Sequence, residues 1–432
     1  SGRFSDMGTE ERRLLLARSS VRDAGVQNVV ASIISRIESD GDTALRELAL
    51  QYDGIELGAV EVPAERLAKA IGSIRPDLLR AMKRSAANIE AVHRAFLPSP
   101  TVIQVEPGVT VGRRPDPLQR VGVYAPGGRA AYPSSVLMGA IPARIAGVGE
   151  VILCSPPGPD GMPSPSILAA AQIAKVDRVF AVGGAGAIAA MCLGTSTIPK
   201  VDKVVGPGNA FVAEAKLQLA SVAAFDSPAG PSELIVIADN SATPAVVARE
   251  VIAQAEHDPR AIAIVIAIGQ GVGSAIEAAV AEAALRADRN EIVLESLRVR
   301  GGVVIVDSVD EAISLANDFA PEHLMIATEH PEQVLTATRN AGTVFLGETS
   351  SVTFGDYLTG ANHVLPTGGL ARCYSGLSTL DFIRWTTYQS IDTQGAAALS
   401  ADVAEFARAE GLFAHAAAAH GLAENRNENS CG

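Results

Sequence analysis

"AIAIVIAIGQGVGSAIEAAVAEAALR", residues 261–286, decides how the rest of the chain is read. Its first part is an unbroken run of alanine, isoleucine and valine that ends at Gly269. Such a run is too short to span a bilayer, and its β-branched residues suit a strand buried on both faces. A cluster of glycines follows and then a helix-like stretch, so the segment reads as strand, tight turn and helix. That is half of a βαβ unit.

The same pattern recurs in both directions. "LIVIAD" (234–239) precedes it, and "GVVIVD" (302–307), "HLMIAT" (323–328) and "TVFLG" (343–347) follow, each separated from the next by a helix-like stretch. Upstream, "RVGVYAP" (120–126), "EVILCSP" (150–156), "RVFAVGG" (178–184) and "KVVGPG" (203–208) alternate with stretches such as "SILAAAQIA" (166–174). Alternation of this kind predicts mostly parallel sheets covered by helices. Residues 26–98 carry helical periodicity, and the chain past 385 is alanine-rich and reads as helical to about His420. The expected fold is α/β, with two similar Rossmann-like domains and helical N-terminal and C-terminal segments. Their expected boundaries are 1–110, 111–231, 232–385 and 386–432. "SPPGPDGMPSP" (155–165) is a surface loop within the first α/β domain, and "ENRNENSCG" (424–432) reads as a disordered tail.

Composition narrows the function. The chain has 432 residues, 48% of them hydrophobic, and 35 basic against 48 acidic side chains, a net charge of −13. That balance argues against a broad nucleic-acid surface and favours small-molecule ligands. No apolar run is long enough for a membrane span, and "SGRFSDMGTEERR" has no signal-peptide core, so a cytoplasmic enzyme is expected. Cys154, Cys192, Cys373 and Cys431 are scattered without metal-site or disulfide spacing and read as reduced thiols.

Three glycine loops invite a nucleotide. "GQGVGS" (269–274) resembles a dinucleotide fingerprint without its last glycine, "GPGNAF" (206–211) has Phe211 in that place, and "GGAGA" (183–187) is equally ambiguous. Each is also a plain βα turn in which glycine supplies a positive φ, and spacing does not choose among them.

The ionisable residues form four groups. In "QAEHDP" (254–259) a helix starting at Thr243, with Val247 and Val251 on one face, continues its apolar stripe into Gln254 and His257. Buried polar groups there need partners, either from the protein or from a ligand. "APEHL" (320–324) follows a helix with a capping box at Ser308 and Glu311 and leads into a strand, placing Glu322 and His323 where sheet enzymes display acids and bases. A solvated loop pair is the competing reading. "GDYLTGANHVLPTGG" (355–369) is an irregular loop with Asp356 and His363, and "AEGLFAHAAAAH" (409–420) carries Glu410 and His415. Gln254, His257, Asp356 and His415 together offer nitrogen and oxygen donors suited to Zn²⁺.

From about residue 15 to 422 the chain resembles the histidinol dehydrogenase family, through "RVGVYAPGG", "AAYPSSVLM", "VDKVVGPGNAFVAEAK", "GPSE", "QAEHDP", "FAPEHL", "GDYLTGANHVLPTGG" and "EGLFAH". The resemblance implies a zinc-containing homodimer that oxidises L-histidinol through the aldehyde to L-histidine with two NAD⁺, the last step of histidine biosynthesis. It implies one zinc per subunit on Gln254, His257, Asp356 and His415, the last supplied by the partner chain. It makes His323 the base for the hydroxyl proton and Glu322 the group that activates water. Ser232, His363 and Glu410 would line the substrate pocket, and Tyr124 and Asn209 would contact NAD. Gly186 stands where the family's "GGAQA" has a glutamine that touches the dinucleotide, a departure that bears on NAD binding. The near-fingerprint at 269–274 lies outside these motifs. The polar stretch "TTYQSIDTQG" (386–395) is expected to be a flexible connection that lets the terminal helix reach a neighbour. The rival activities are oxidation of another polar alcohol with the same chemistry, and zinc-dependent hydrolysis.

Overall fold

The computed structural model describes residues 2–18, 23–127, 131–228 and 230–428. It divides into two compact units, one formed by 1–96 and 118–382, the other by 97–117 and 383–432.

The first unit holds two parallel sheets. One is built from β4 (Arg120–Tyr124), β5 (Glu150–Cys154), β6 (Arg178–Phe180), β7 (Lys203–Val205) and β8 (Ala224–Phe225), in the order β6-β5-β4-β7-β8. The other uses β9 (Glu233–Ala238), β10 (Ile262–Ile268), β11 (Gly301–Val306), β12 (His323–Ala327) and β13 (Thr343–Leu346), in the order β11-β10-β9-β12-β13, with β1 (Gly2–Arg3) added beside β11. Leaving β1 aside, both sheets run third, second, first, fourth, fifth in order of appearance, which is the doubly wound arrangement. All nine strands expected from the sequence are present.

The continuous apolar runs are explained by burial on both faces. In β9, Leu234, Val236 and Ala238 join one core with Val265 and Ile305, while Ile235 and Ile237 join a second core with Ile266 and Phe319. The period of two assigns alternate residues of 234–238 to opposite layers, so these positions are apolar, while Glu233 at the strand's start is buried in an ion pair. Ser308 caps the helix Val309–Phe319 by accepting from the Glu311 N–H at 3.2 Å, but the Glu311 carboxylate accepts from the N–H of Asp307 instead of closing back on Ser308. Gly269 has φ +97° at the start of the helix Gln270–Arg286, and a side chain at Gly273 would strike Ile305. The 269–274 glycines therefore serve a turn and a close helix–sheet contact.

The second unit corrects three expectations. Residues 101–117 and 386–391 lie in an antiparallel sheet, ordered β14-β3-β2, of β2 (Thr101–Glu106), β3 (Val109–Pro117) and β14 (Ile383–Ile391). The stretch read as a flexible connection is thus a paired strand from Thr386 to Ile391. Its polar composition reflects a ribbon open to solvent, held by pairing of Tyr388 with Gly112 and of Thr387 with Arg113. Arg113 also lies 4.0 Å from the Trp385 ring. Asp392 then caps the helix Thr393–Ala409. The N-terminal segment is likewise not helical to residue 110, and the terminal helix Phe413–Glu428 continues past His420 into the expected tail. Residues 429–432, with Cys431, lie outside the described residues. Cys154, Cys192 and Cys373 are unpaired. Among the described residues no helix is long and apolar enough to cross a membrane.

Candidate active site

The ionisable residues converge at the amino ends of the second sheet. His323 is the first residue of β12 and pairs with Leu234, the second residue of β9. Its Nδ1 lies 3.0 Å from the carbonyl oxygen of Glu233. A carbonyl can only accept, so Nδ1 carries the proton and Nε2 presents its lone pair. Nε2 is buried without a hydrogen-bond partner and sits 3.7 Å from Oδ1 of Asp356. Burial pushes the imidazole's pKa down to about 4, and the neighbouring His257 and His363 act in the same direction, so the ring is neutral near pH 7.

Glu322 is also buried. Its Oε2 accepts the N–H of Glu233 at 2.8 Å and lies 3.6 Å from Nδ1 of His323. Burial holds its pKa well above the usual carboxylate range, the charges of Glu233 and Asp356 add to the rise, and hydrogen bonds from the Glu233 backbone and the Ser232 side chain oppose it.

Asp356 lies on the short helix Val352–Tyr357, whose first N–H is bound by Glu250 at 3.0 Å. Burial, with the charge of Glu250 second, raises its pKa to about 6. The Asp356 carbonyl accepts from Nδ1 of His363 at 2.8 Å, which fixes that tautomer too, and Nε2 of His363 lies 3.5 Å from the Ser135 hydroxyl. Asn362 anchors the loop by donating to the Met138 carbonyl at 2.8 Å.

The helix Pro244–Ala255 places Gln254 in its last turn, buried, with an amide nitrogen that has no partner. His257 does not continue the helical stripe as expected. It lies beyond the end of the helix, donating its N–H to the Gln254 carbonyl at 3.3 Å, with an exposed side chain. The last turn cannot continue because Pro259 follows closely. Among the described residues no three His, Cys, Asp or Glu side chains form a metal cage. Glu410 and His415 belong to the second unit, where they flank the turn between its two helices and are exposed.

Tyr124, Gly186 and Asn209 meet elsewhere, in a cavity of about 840 Å³ at the carboxyl ends of the first sheet. Tyr124 ends β4, and its hydroxyl accepts the N–H of Gly184 at 3.1 Å. Asn209 caps the helix Ala210–Gln218 through Oδ1, leaving its amide N–H groups to donate. The helix Gly184–Leu193 also starts here, so two helix N-termini supply the partial positive charge that suits a pyrophosphate. A side chain at Gly183 would collide with Pro156, and one at Gly206 with the Tyr124 backbone, so these glycines permit close approach.

Sequence reasoning missed Glu233, Arg18 and Glu250. Glu250 had a readable signal, a carboxylate one turn before Gln254 on the buried stripe. Glu233 opens an apolar strand, and Arg18 carries no local signal at all.

Two doubly wound sheets, one with a glycine-walled crevice and the other with a buried acid–base pair, suit a dinucleotide-using oxidoreductase. Comparison with known proteins narrows the class. A family model for histidinol dehydrogenase matches residues 16–421. The histidinol dehydrogenase of Methanosarcina barkeri is 45% identical over 415 residues, covering 96% of this chain and 95% of that protein. That of Methanothermobacter thermautotrophicus is 45% identical over 400 residues, covering 93% of each. A crystal structure of histidinol dehydrogenase from Elizabethkingia anophelis superposes with a TM-score of 0.94 at 34% identity, covering 99% of this chain and 98% of that one. The chain belongs to the histidinol dehydrogenase family. It is an NAD-dependent oxidoreductase of histidine biosynthesis with histidinol dehydrogenase activity.

Proposed function

We propose that this site oxidises L-histidinol through L-histidinal to L-histidine in two hydride transfers to NAD⁺, with His323 and Glu322 dividing the proton transfers. The observation that carries this reading is the unpartnered, unprotonated Nε2 of His323 beside Asp356, with Glu322 on the Nδ1 side of the same ring. In the first oxidation Nε2 takes the hydroxyl proton while hydride leaves the carbinol carbon for the nicotinamide. In the second, Glu322 takes a proton from the water that adds to the aldehyde, and hydride leaves the resulting hydrate. Ser232, His363 and Glu410 orient the substrate, Glu410 as counter-charge to its ammonium group. Tyr124 and Asn209 hold the dinucleotide in the crevice, and Gly186 forms part of its wall.

The donor set fits zinc, one ion per subunit. The buried, unpartnered amide of Gln254 would turn its oxygen to the ion, and Asp356 and His257 would add oxygen and nitrogen donors near the same imidazoles. His415 of the partner subunit would be the fourth ligand. When bound, the ion supplies an orienting Lewis acid and no redox chemistry. A homodimer is supported by the second unit, where Val102, Ile103 and Val105 are each 59% exposed and Phe406 and Phe413 are 75% and 71% exposed. Unpaired cysteines agree with a cytoplasmic setting. The test is to supply histidinol or histidinal with NAD⁺ and count NADH by absorbance. Two NADH per histidinol and one per histidinal are expected. A yield of one from histidinol would end the two-step reading.

A further inference from the structure

A further carboxylate, that of Glu233, lies behind this acid–base pair. Glu233 donates its backbone N–H to Oε2 of Glu322 at 2.8 Å, and its carbonyl accepts from Nδ1 of His323 at 3.0 Å. Its own carboxylate accepts from the N–H of Glu322 at 3.4 Å and from that of Gly368 at 2.9 Å. Arg18 completes the set, with Nη1 2.7 Å from Oε2 of Glu233. The two side chains are only 3% and 2% exposed.

Arg18 also reaches the other side of the same junction. Its Nη2 donates to the carbonyl of Phe319, and its guanidinium lies 3.6 Å from the Phe319 ring centroid. Phe319 ends the helix that leads through Ala320 and Pro321 into Glu322. One buried ion pair therefore ties together the start of β9, the segment entering β12 and the loop that carries His363. A buried pair contributes little net stability compared with apolar packing, but loss of one member leaves an uncompensated charge.

We propose that Glu233, fixed by Arg18, is the positioning residue of this site, holding His323 in one tautomer and orientation and Glu322 against it. The inference rests on the roles given to His323 and Glu322 above. Glu233 touches no reacting atom, so its effect must pass through those two side chains.

The test is a set of steady-state measurements on full-length, metal-loaded protein. Glu233→Gln should lower kcat for histidinol about 10- to 100-fold, the cost of slight misplacement of catalytic groups, with both KM values within about twofold of wild type. Arg18→Met should show the same split, and Arg18→Lys, which keeps the charge, should recover part of the lost kcat. These two variants carry the test if Glu233→Gln does not fold. In a background with both Glu322→Gln and His323→Ala, Glu233→Gln should cost less than about threefold, because both groups through which it acts are already lost. An undiminished loss in that background, or a raised KM with kcat intact, overturns the proposal. Near-normal activity of His323→Ala alone would instead remove the role given to His323, and the proposal with it.

Discussion

The two parallel sheets share one strand order, yet the residues proposed to hold NAD and those proposed for catalysis sit at opposite ends. In the first sheet Tyr124, Gly184, Gly186 and Asn209 lie at or beyond the carboxyl ends of the strands. In the second, Ser232, Glu322 and His323 lie at the amino ends, and His257 precedes β10. Helix polarity accounts for the difference. Helices leaving the strands begin at the carboxyl ends, where free N–H groups favour phosphate. Helices returning to the strands finish at the amino ends, where free carbonyls and partial negative charge favour cations. The helix that delivers Gln254 ends in this way. A single topology thus offers positive helix ends on one side and negative helix ends on the other, and the proposed NAD and zinc sites fall on one each. The two regions meet where Ser135, in the first turn of the helix after β4, approaches His363.

The largest effects are expected at the amino ends. His323→Ala should lower kcat by about 10²- to 10⁴-fold with either histidinol or histidinal, the usual range for a lost general base. Glu322→Gln should damage the histidinal reaction much more than the first oxidation, measured separately by stopped-flow NADH formation. Equal losses in both steps would take away the division of labour.

A second test asks whether that end is complete within one chain. His257→Ala and His415→Ala should each be inactive and depleted of zinc by elemental analysis. Refolded together in equal amounts, they should recover about one quarter of wild-type activity, because half the dimers are mixed and half of their sites are intact. Mixed dimers that stay inactive would show that each chain builds its own site.

His93 sharpens the contrast between a working histidine and a structural one. Like His323 it is buried, has an unpartnered Nε2 and has its pKa pushed down to about 4, chiefly by burial. Its neighbours are Thr379 and the edge of Phe96, and the charge of Asp381 opposes the effect of burial only weakly. His93→Asn should leave kcat within about twofold. Because the folded pKa lies below the unfolded value of about 6.5, the unfolded chain binds more protons as pH falls. The stability contribution is present above about pH 6.5 and is lost as pH falls toward about 4. Wild type should lose about 2 kcal/mol from this group between pH 7.5 and 5, which His93→Asn should not lose. Urea melts at the two pH values measure it, and identical pH dependence would refute the assignment.

The smallest effect belongs to the crevice. A Cβ at residue 186 would lie 3.2 Å from Cδ1 of Leu48, so a side chain there needs Leu48 to yield slightly. Gly186→Gln should lower the KM for NAD⁺ by the worth of one hydrogen bond, about 0.5–1.5 kcal/mol, without moving the KM for histidinol. If only the combination with Leu48→Ala gains affinity, Leu48 is the obstacle. If neither gains, the glutamine contact has no counterpart in this crevice.

Local sequence determined the strands, because a strand buried on both faces must be apolar throughout, as in 262–268 and 234–238, and glycine or proline must end it. It also singled out Glu322, His323, Asp356 and His363, since ionisable residues in junctions marked by proline or glycine stand out against such runs. It misread 386–391, where polar residues form a solvent-facing ribbon whose pairing partner lies at 109–117, beyond any local window. It extended the helical stripe to His257, although the helix stops at Ala255. Only the tertiary structure placed Arg18 beneath Glu233, 215 residues away along the chain. Hydrogen bonds and ion pairs between distant segments leave no periodicity, and the proton positions on His323 and His363 are set by carbonyls that every residue possesses. Identity along the chain fixes which groups are available; the convergence of strand ends fixes which of them can react.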